Sequence, residues 1–459
     1  MIKQGKSRWY HGAFTLGLLT ILMLLSLTRW GLEPQLPLLM GCALAAVAGL
    51  WAGHSWQEVL QGAAQGVSQT AEAVLILLSI GILTGIWLEG GVVPGLIWYG
   101  LRLLHPRIFL PAASLLCAAV SLALGSWGTV GSLGLAFMGM GQALGLDPAL
   151  TAGAVVSGAY VGDKLSPLTD GTNLAAAVSG ARVAEAVRQR LPLTLGVFGF
   201  SLLLYAVLGA NAESGGGEAA PLMAAIEARF SVSPFCLLPL VLMLICLLLK
   251  LPALPAILAG ILGGLLWGLM QGARLADLLQ AAYSGGTGGT GLETLDALLT
   301  SGGLSSMYYS LGIILIAMAF GGILRNTGQA EALLRPLSRR IRRGPTITGL
   351  TVVLCVFCNL LLPDQYLGIS LPGQLLEGEY DRLGIRRPLL AATLGAGGAV
   401  TSALIPWNTC GAYIFSVLGV SPLTYGPRAF FCLLLPLASV AFAPLYFRRH
   451  PLNIKEDTP

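Results

Sequence analysis

The chain has 459 residues, 55% of them hydrophobic and only 10% charged, against roughly 25% charged in an average soluble domain. This composition excludes a soluble globular protein and reads as an all-α polytopic membrane protein, because the apolar runs do not alternate as barrel strands would. The net charge of +5 is carried mostly by loop arginines; in such a chain it reports orientation, and it brings no nucleic-acid signal with it.

Residues 1–12 carry Lys3, Lys6 and Arg8 ahead of the apolar run "AFTLGLLTILMLLSL" from Ala13. No small-residue cleavage site follows, so this run reads as a retained first helix, not a signal peptide. Apolar stretches near the roughly 20 residues needed to span a bilayer recur to Ala210, ending in "RLPLTLGVFGFSLLLYAVLGA". Residues 13–210 are therefore a first transmembrane unit. The polar, Gly-rich "NAESGGGEAAPLMAAIEARF" marks a linker over residues 211–232. A second unit, 233–447, opens on "SPFCLLPLVLMLICLLLK", and a tail, 448–459, carries Arg448, Arg449 and Lys455. The 61 glycines suit helices that pack closely or break inside the membrane. The eight cysteines lie in apolar segments and read as small core residues; "CVFC" from Cys355 lacks a second pair and is assigned no metal.

The two units match each other. "LPLLMGCALAAVAGLWAG" and "EVLQGAAQG" from Leu36 and Glu58 resemble "LPAILAGILGGLLWGLMQ" and "DLLQAAYSG" from Leu254 and Asp277. "ILLSIGILTGIWLEGG" from Ile76 matches "IILIAMAFGGILRNTG" from Ile313, and "SPLTDGTN" from Ser166 aligns with "IPWNTCGA" from Ile405. Same order and similar spacing point to an internal duplication. Basic residues at both ends place both termini in the cytoplasm, and the linker, with three glutamates and one arginine, is placed outside. Each unit then crosses an odd number of times, so the fold expected is two inverted-topology repeats. "RPLSRRIRRG" from Arg335 and "SGARVAEAVRQR" from Ser179 fall inside in this scheme, and "WYGLRLLHPR" from Trp98 outside.

Each repeat should hold about five crossings plus a re-entrant hairpin. In the first repeat the hairpin spans Ile108 to Gly145, interrupted at Leu124 to Gly134. In the second it spans Thr346 to Tyr380, interrupted at Asn359 to Gly368, with a closing arm too short and too charged (Glu377, Glu379, Asp381) to cross lipid. Each hairpin precedes a broken helix. Asp147 and Pro148 start the first of these as N-cap and first-turn residues, and it should open between Pro167 and Gly171; Pro406 marks the second.

The breaks and hairpin tips supply hard oxygen atoms suited to Na+. Asp163, Ser166, Thr169, Asp170, Thr172 and Asn173 stand in one half, beside Lys164. Thr401, Ser402, Asn408 and Thr409 stand in the other. The tips add Ser126 and Thr129, and Asn359, Asp364 and Gln365. Structural readings stand beside these: Asp163 and Lys164 as an ion pair, hydroxyls bonded back to their own helix, Trp407 as packing. The four histidines fall at ends or loops, and no nucleophile motif or Gly-Lys-Ser/Thr phosphate loop occurs, so neither an enzyme nor an ATP-driven pump is expected. Paired breaks in inverted halves favour alternating access over a channel.

"SGAYVGDKLSPLTDGTNLA" from Ser157, "DQYLGISLPG" from Asp364 and "TSALIPWNTCGAY" from Thr401 resemble the signatures of the NhaC-type sodium/proton antiporters, over essentially the whole chain. The wider ion-transporter superfamily implies elevator-like movement of the hairpins and broken helices. Two positions depart from the pattern: Gly171, where the family has Thr or Ser, and Pro363, where it has Gly. The resemblance implies Na+ (or Li+)/H+ exchange across the bacterial cytoplasmic membrane, no cofactor, contact with lipid, and homodimerisation by analogy. The alternative is coupled transport of small organic acids or amino acids. In the expected mechanism Na+ and H+ compete for Asp163 and Asp170, with Asp364 lining the same cavity and Na+ held by Asp163, Asp170, Asn173 and Asn408. Competition requires a carboxylate that can hold a proton near neutral pH, and burial acts in that direction. Lys164 is either a counter-charge or a proton carrier.

Overall fold

The computed structural model describes residues 7–210, 219–249, 251–334, 336, 343–362 and 364–449. Residues 1–6, 211–218, most of the arginine-rich stretch after Leu334, Pro363 and the tail beyond Arg449 lie outside them. Every regular element among the described residues is helical. Six helices are long and apolar enough to cross a membrane, and up to nine do so if three bent pairs each count as one. That is fewer than about five per half, because Trp9–Leu25, Gln35–Trp51 and Val92–Leu103 are apolar but short. Leu39, Val47, Leu262 and Leu266 are all more than half exposed, the outward-facing leucine and valine that a lipid-facing surface favours and water does not.

Helix ends follow local chemistry. At Trp56–Ser68, Ser55 Oγ accepts from the Glu58 amide at 3.2 Å while the Ser55 amide donates to Glu58 Oε2 at 2.9 Å, a reciprocal cap. The expected start of Pro148–Leu165 is borne out: Asp147 Oδ1 accepts from the Ala149 amide at 3.0 Å and Pro148 occupies the first turn.

The order of elements recurs. Gln35–Trp51, Trp56–Ser68 and Ala71–Glu89 are followed in the second half by Ala253–Met270, Leu275–Ser284 and Tyr308–Asn326, with Glu293–Leu299 and Gly303–Ser306 inserted before the last. The contacts recur too, with partners exchanged. Ala71–Glu89 lies along Ala253–Met270, where Trp87 Nε1 donates to the Gly260 carbonyl at 2.9 Å. Tyr308–Asn326 lies along Gln35–Trp51, where Cys42 Sγ reaches the Ile316 carbonyl at 3.6 Å. Trp56–Ser68 crosses Tyr308–Asn326 through Gly62, Gly66 and Gly322, and a Cβ at Gly62 would come within 2.8 Å of the Gly322 carbonyl. At the matching crossing, Gly85 abuts the Ala281 carbonyl. Small residues let these backbones touch.

Both hairpins are antiparallel helix pairs. Within Pro106–Thr129, Gly125 has φ 67° and ψ 179°, a conformation essentially confined to glycine, and the chain reverses there. Ser114 and Ser121 meet Gly158 and Gly162 in the same direction along Pro148–Leu165, whereas Gly134 and Gly141 meet Val155 and Thr151 in the opposite one. In the second half Gly344–Leu361 returns as Gln365–Arg382, with Asn359 against Gly368 and Thr351 Oγ1 3.0 Å from the Tyr380 hydroxyl. The expectation that this closing arm is too short needs correction. It is an 18-residue helix, about 27 Å at 1.5 Å per residue. Its charge is what sets it apart, and Glu377, Glu379 and Asp381 are paired with Arg382 and Arg387.

Within the expected linker, the described residues from Ala219 to Arg229 are helical. Ala219–Arg229 is a helix with Leu222 and Ile226 buried; Arg229 pairs with Glu89 at 3.2 Å, and Trp98 Nε1 donates to Glu227 at 2.8 Å.

Gly66→Val and Gly85→Val each force a side chain into backbone and should cost about 1–3 kcal/mol, read as a lower Tm in detergent. Gly196→Val, with nothing within 4 Å, should leave the Tm unchanged.

Candidate functional site

The helix Pro148–Leu165 ends at Ser166 (φ −80°, ψ 132°) and the chain resumes as Asp170–Val178. Pro167 lies in the opening, as expected. Gly171 does not: it is an ordinary helical residue of the second segment, so the opening is 166–169 and this glycine matters for space, not for its dihedrals. In the other half, 387–404 and Thr409–Leu418 are bent by 46°, with Pro406 between them.

Opening a helix frees carbonyls, and the hydroxyls serve them. The Asp163 carbonyl accepts from Thr169 Oγ1 at 2.7 Å and Thr172 Oγ1 at 3.1 Å. Ser166 Oγ accepts from the Leu168 amide at 3.2 Å. Asn408 caps the matching segment, its Oδ1 accepting from the Cys410 amide at 3.2 Å.

Lys164 Nζ stands 2.8 Å from Asp163 Oδ2, with the lysine fully buried and the aspartate 6% exposed. An ion pair this deep is held by its partners, because either charge alone would face the desolvation cost unaided. The first hairpin tip lies beside it: a Cβ at Gly125 would be 3.6 Å from Asp163 Oδ1. Ser126 is buried at this tip, and Thr129 Oγ1 donates to the Gly125 carbonyl at 2.8 Å. Trp127 stacks on Tyr413 at 4.5 Å, and the Tyr413 hydroxyl donates to the Trp127 carbonyl at 2.7 Å, which ties the tip of one half to a helix of the other.

From the other side comes Gln365. A Cβ at Gly171 would sit 3.0 Å from Gln365 Nε2 and 3.3 Å from Lys164 Nζ. Gln365 Oε1 accepts from Ser402 Oγ at 3.2 Å and from Cys410 Sγ at 3.1 Å. Gln365 therefore links the Lys164 side to a small cavity of about 40 Å³ lined by Asp364, Gln365, Thr409, Cys410, Trp127 and Thr70 among others. Asp364 is buried and caps its helix, Oδ1 accepting from the Leu367 amide at 2.9 Å.

The remaining expected residues separate into two groups. Asn359, Thr401 and Asn408 fasten the second hairpin to the interrupted helix. Asn359 Nδ2 donates to the Gly398 carbonyl at 2.5 Å and Thr401 Oγ1 at 2.9 Å, Thr401 Oγ1 donates to the Gly397 carbonyl at 2.5 Å, and Asn408 Nδ2 donates to the Asn359 carbonyl at 3.3 Å. Trp407 Nε1 donates to the Leu360 carbonyl at 2.8 Å, a packing role. Asp170 and Asn173 are exposed, whereas Asp163 and Asn408 are buried; the four do not share one enclosed pocket.

Sequence reasoning passed over Cys410, Glu72 and Arg190. Cys410 was legible: the register that sets Ser166 against Ile405 sets Gly171 against Cys410, and these two flank Gln365. Glu72, within electrostatic reach of Asp170, carries no local motif. Arg190 lies in the stretch from Ser179 expected on the inside, but that stretch is helical from Val183 and Arg190 is buried.

The model of the Na+/H+ antiporter family matches residues 6–172 and 158–445. The chain belongs to the Na+/H+ antiporter family. It is thus an integral membrane transporter. The chain is 34% identical over 442 residues to the Na+/H+ antiporter NhaC of Alkalihalophilus pseudofirmus, an alignment covering 94% of this chain and 95% of that one. It is 35% identical to the malate-2H+/Na+-lactate antiporter of Bacillus subtilis, covering 90% and 89% of the two chains. Identity to the arginine/ornithine antiporter ArcD of Halobacterium salinarum is 36%, covering 92% and 89%. The two stretches that match this antiporter family overlap at residues 158–172, the segment that holds Asp163, Lys164 and Asp170.

Asp163→Asn leaves Lys164 buried without its counter-charge and should cost about 3–5 kcal/mol. The double variant Asp163→Asn/Lys164→Met should regain most of that loss. Thermal unfolding in detergent reads both.

Proposed function

We propose that the chain is a secondary antiporter exchanging Na+, with Li+ as a surrogate, for H+ across the bacterial cytoplasmic membrane. The observation that carries this reading is the buried Asp163–Lys164 pair. It lies against the hairpin tip of its own half and the Gln365 side chain of the other, with Asp364 on the far side of that glutamine. Family membership supplies the ions.

In this reading Na+ and H+ compete at Asp163 and Asp364. With H+ bound or the site empty, Lys164 balances Asp163. Arriving Na+ takes oxygen ligands at the small cavity, where Asp364, Gln365, Thr409 and Thr70 offer hard oxygen, and the change of charge is passed through Gln365 to Lys164. Asp170, exposed beside Glu72, receives the ion on the way to Asp163 and is not part of the enclosed set.

The two halves are read as inverted repeats with both termini cytoplasmic. The exchanged contacts support a two-fold relation: Gly322 meets Gly62, and the matching Gly85 meets Ala281. Charge at the two ends supports the inversion. Hairpins and interrupted helices, latched together through Asn359 and Asn408, would move as one body, re-entrant from opposite faces and elevator-like, within a homodimer.

A second reading, exchange of small organic acids or amino acids, is favoured by two observations. Relatives named for malate, lactate, arginine and ornithine are as similar to this chain as the one named for Na+ and H+. Gly171 also leaves room beside Lys164.

In proteoliposomes carrying a pH dye, a Na+ pulse should drive proton flux, Li+ should substitute and K+ should not. Asp163→Asn should abolish the flux, and Asp364→Asn should weaken apparent Na+ affinity by about tenfold or more, or at least ~1.4 kcal/mol. Full Na+-dependent flux in Asp163→Asn would overturn the assignment. Coupled exchange that persists in Lys164→Ala would exclude that lysine as an obligatory proton carrier.

A further inference from the structure

A larger cavity, about 940 Å³, opens between the helices Val183–Ala210, Arg387–Leu394 and Phe430–Ala441. Its charged lining is one-sided: Lys164, Arg188, Arg190 and Arg449 contribute to the wall, and among the described residues no Asp or Glu does. Arg188 and Arg449 are exposed, while Arg190 and Lys164 are buried. The cations therefore run from the surface inward and end beside the Asp163–Lys164 pair.

Arg190 is the group that demands an explanation. Only 6% of it is exposed, yet Nε, Nη1 and Nη2 have no hydrogen-bond partner among the described residues. Thr194, one turn further along the same helix and also lining the cavity, is buried with its Oγ1 unpartnered as well. Across the cavity, a Cβ at Gly395 would be 2.9 Å from Arg190 Nη1 and 4.0 Å from Lys164 Cδ, so the two cations approach within one residue's width. With Asp163, the cluster has two positive charges and one negative. A buried guanidinium with free donors is stabilised by a planar oxyanion that accepts two parallel bonds, and one carboxylate would neutralise the cluster.

We propose that Arg190 and Thr194 form a binding site for a small organic carboxylate, reached through this basic cavity, with Lys164 as the shared group that connects it to Asp163. A path lined by four cations repels Na+ and draws anions inward. The carboxylate and the cation thus occupy opposite sides of Lys164, one at Arg190 and the other toward Gln365 and Asp364. The apolar part of the wall, Phe200, Leu435 and Leu437 among it, suits a short hydrocarbon body and not a strongly hydrated inorganic ion. This site goes beyond Na+/H+ exchange and does not depend on it.

The test is binding, read without transport. Purified full-length protein in a neutral detergent is titrated with sodium succinate and with sodium lactate at fixed total Na+ and ionic strength, with sodium chloride as the reference, and the Tm is followed. The expected result is a saturable rise in Tm with at least one carboxylate. Arg190→Gln should weaken that binding roughly ten- to hundredfold, as for the loss of charge-assisted hydrogen bonds, and Arg190→Lys should fall between the two. Arg190→Lys also serves if Arg190→Gln does not fold. No saturable rise with either carboxylate in the unsubstituted protein overturns the proposal, as does equal affinity in it and in the Arg190 variants. The proposal is likewise overturned if only added phosphatidylglycerol stabilises the protein, in an Arg190-dependent way, because Arg190 then holds a lipid phosphate. None of these results bears on Na+-driven proton flux, so the two readings fail separately.

Discussion

A lysine ammonium kept out of water beside a single aspartate constrains most of the architecture around it. Lys164 is fully buried, and a charge in that position persists only where the surroundings supply opposite charge and dipoles. The helix interruption at 166–169 meets part of that requirement, because it lets Asp163 stand at the end of one helix while Thr169 and Thr172 satisfy the freed carbonyl. The hairpin tip at Gly125 closes one side and Gln365 the other. Remove the pair, and the reason for an open helix in an apolar neighbourhood goes with it.

The same constraint gives Gln365 its importance. Its amide has two faces: Nε2 points toward Gly171 and Lys164, and Oε1 takes bonds from Ser402 and Cys410. A single side chain thus joins an ion pair built by one half to a small oxygen-lined cavity walled by both. Gly171 and Cys410, at matching places in the two interrupted helices, stand on either side of it. The absence of a side chain at Gly171 leaves room between this amide and the lysine, since a Cβ there would meet both.

Charge is distributed unequally around that centre. The carboxylate of Asp364 and the hydroxyls of Thr70, Tyr366 and Thr409 line the small cavity, and cations line the large cavity toward Arg190. The relatives similar to this chain are named for inorganic cations, organic acids and basic amino acids. Fold and family therefore do not by themselves fix the cargo.

The sequence alone determined the membrane character, the all-helical class, the helix start at Asp147 and Pro148, and the segments that carry Asp163, Lys164 and Asp364. Those features depend on composition, on proline and glycine, and on local capping, all of which act over a few residues. Only the tertiary structure decided which of the polar residues lie against one another. It turned Asp170 and Asn173 outward, set Asn359 and Asn408 to latching the hairpin, brought Cys410 and Gly171 to one glutamine, and buried Arg190, which reads in sequence as part of a polar loop. Burial and partnership arise from packing between segments hundreds of residues apart, and no local pattern of residue types encodes which face of a helix another helix will cover.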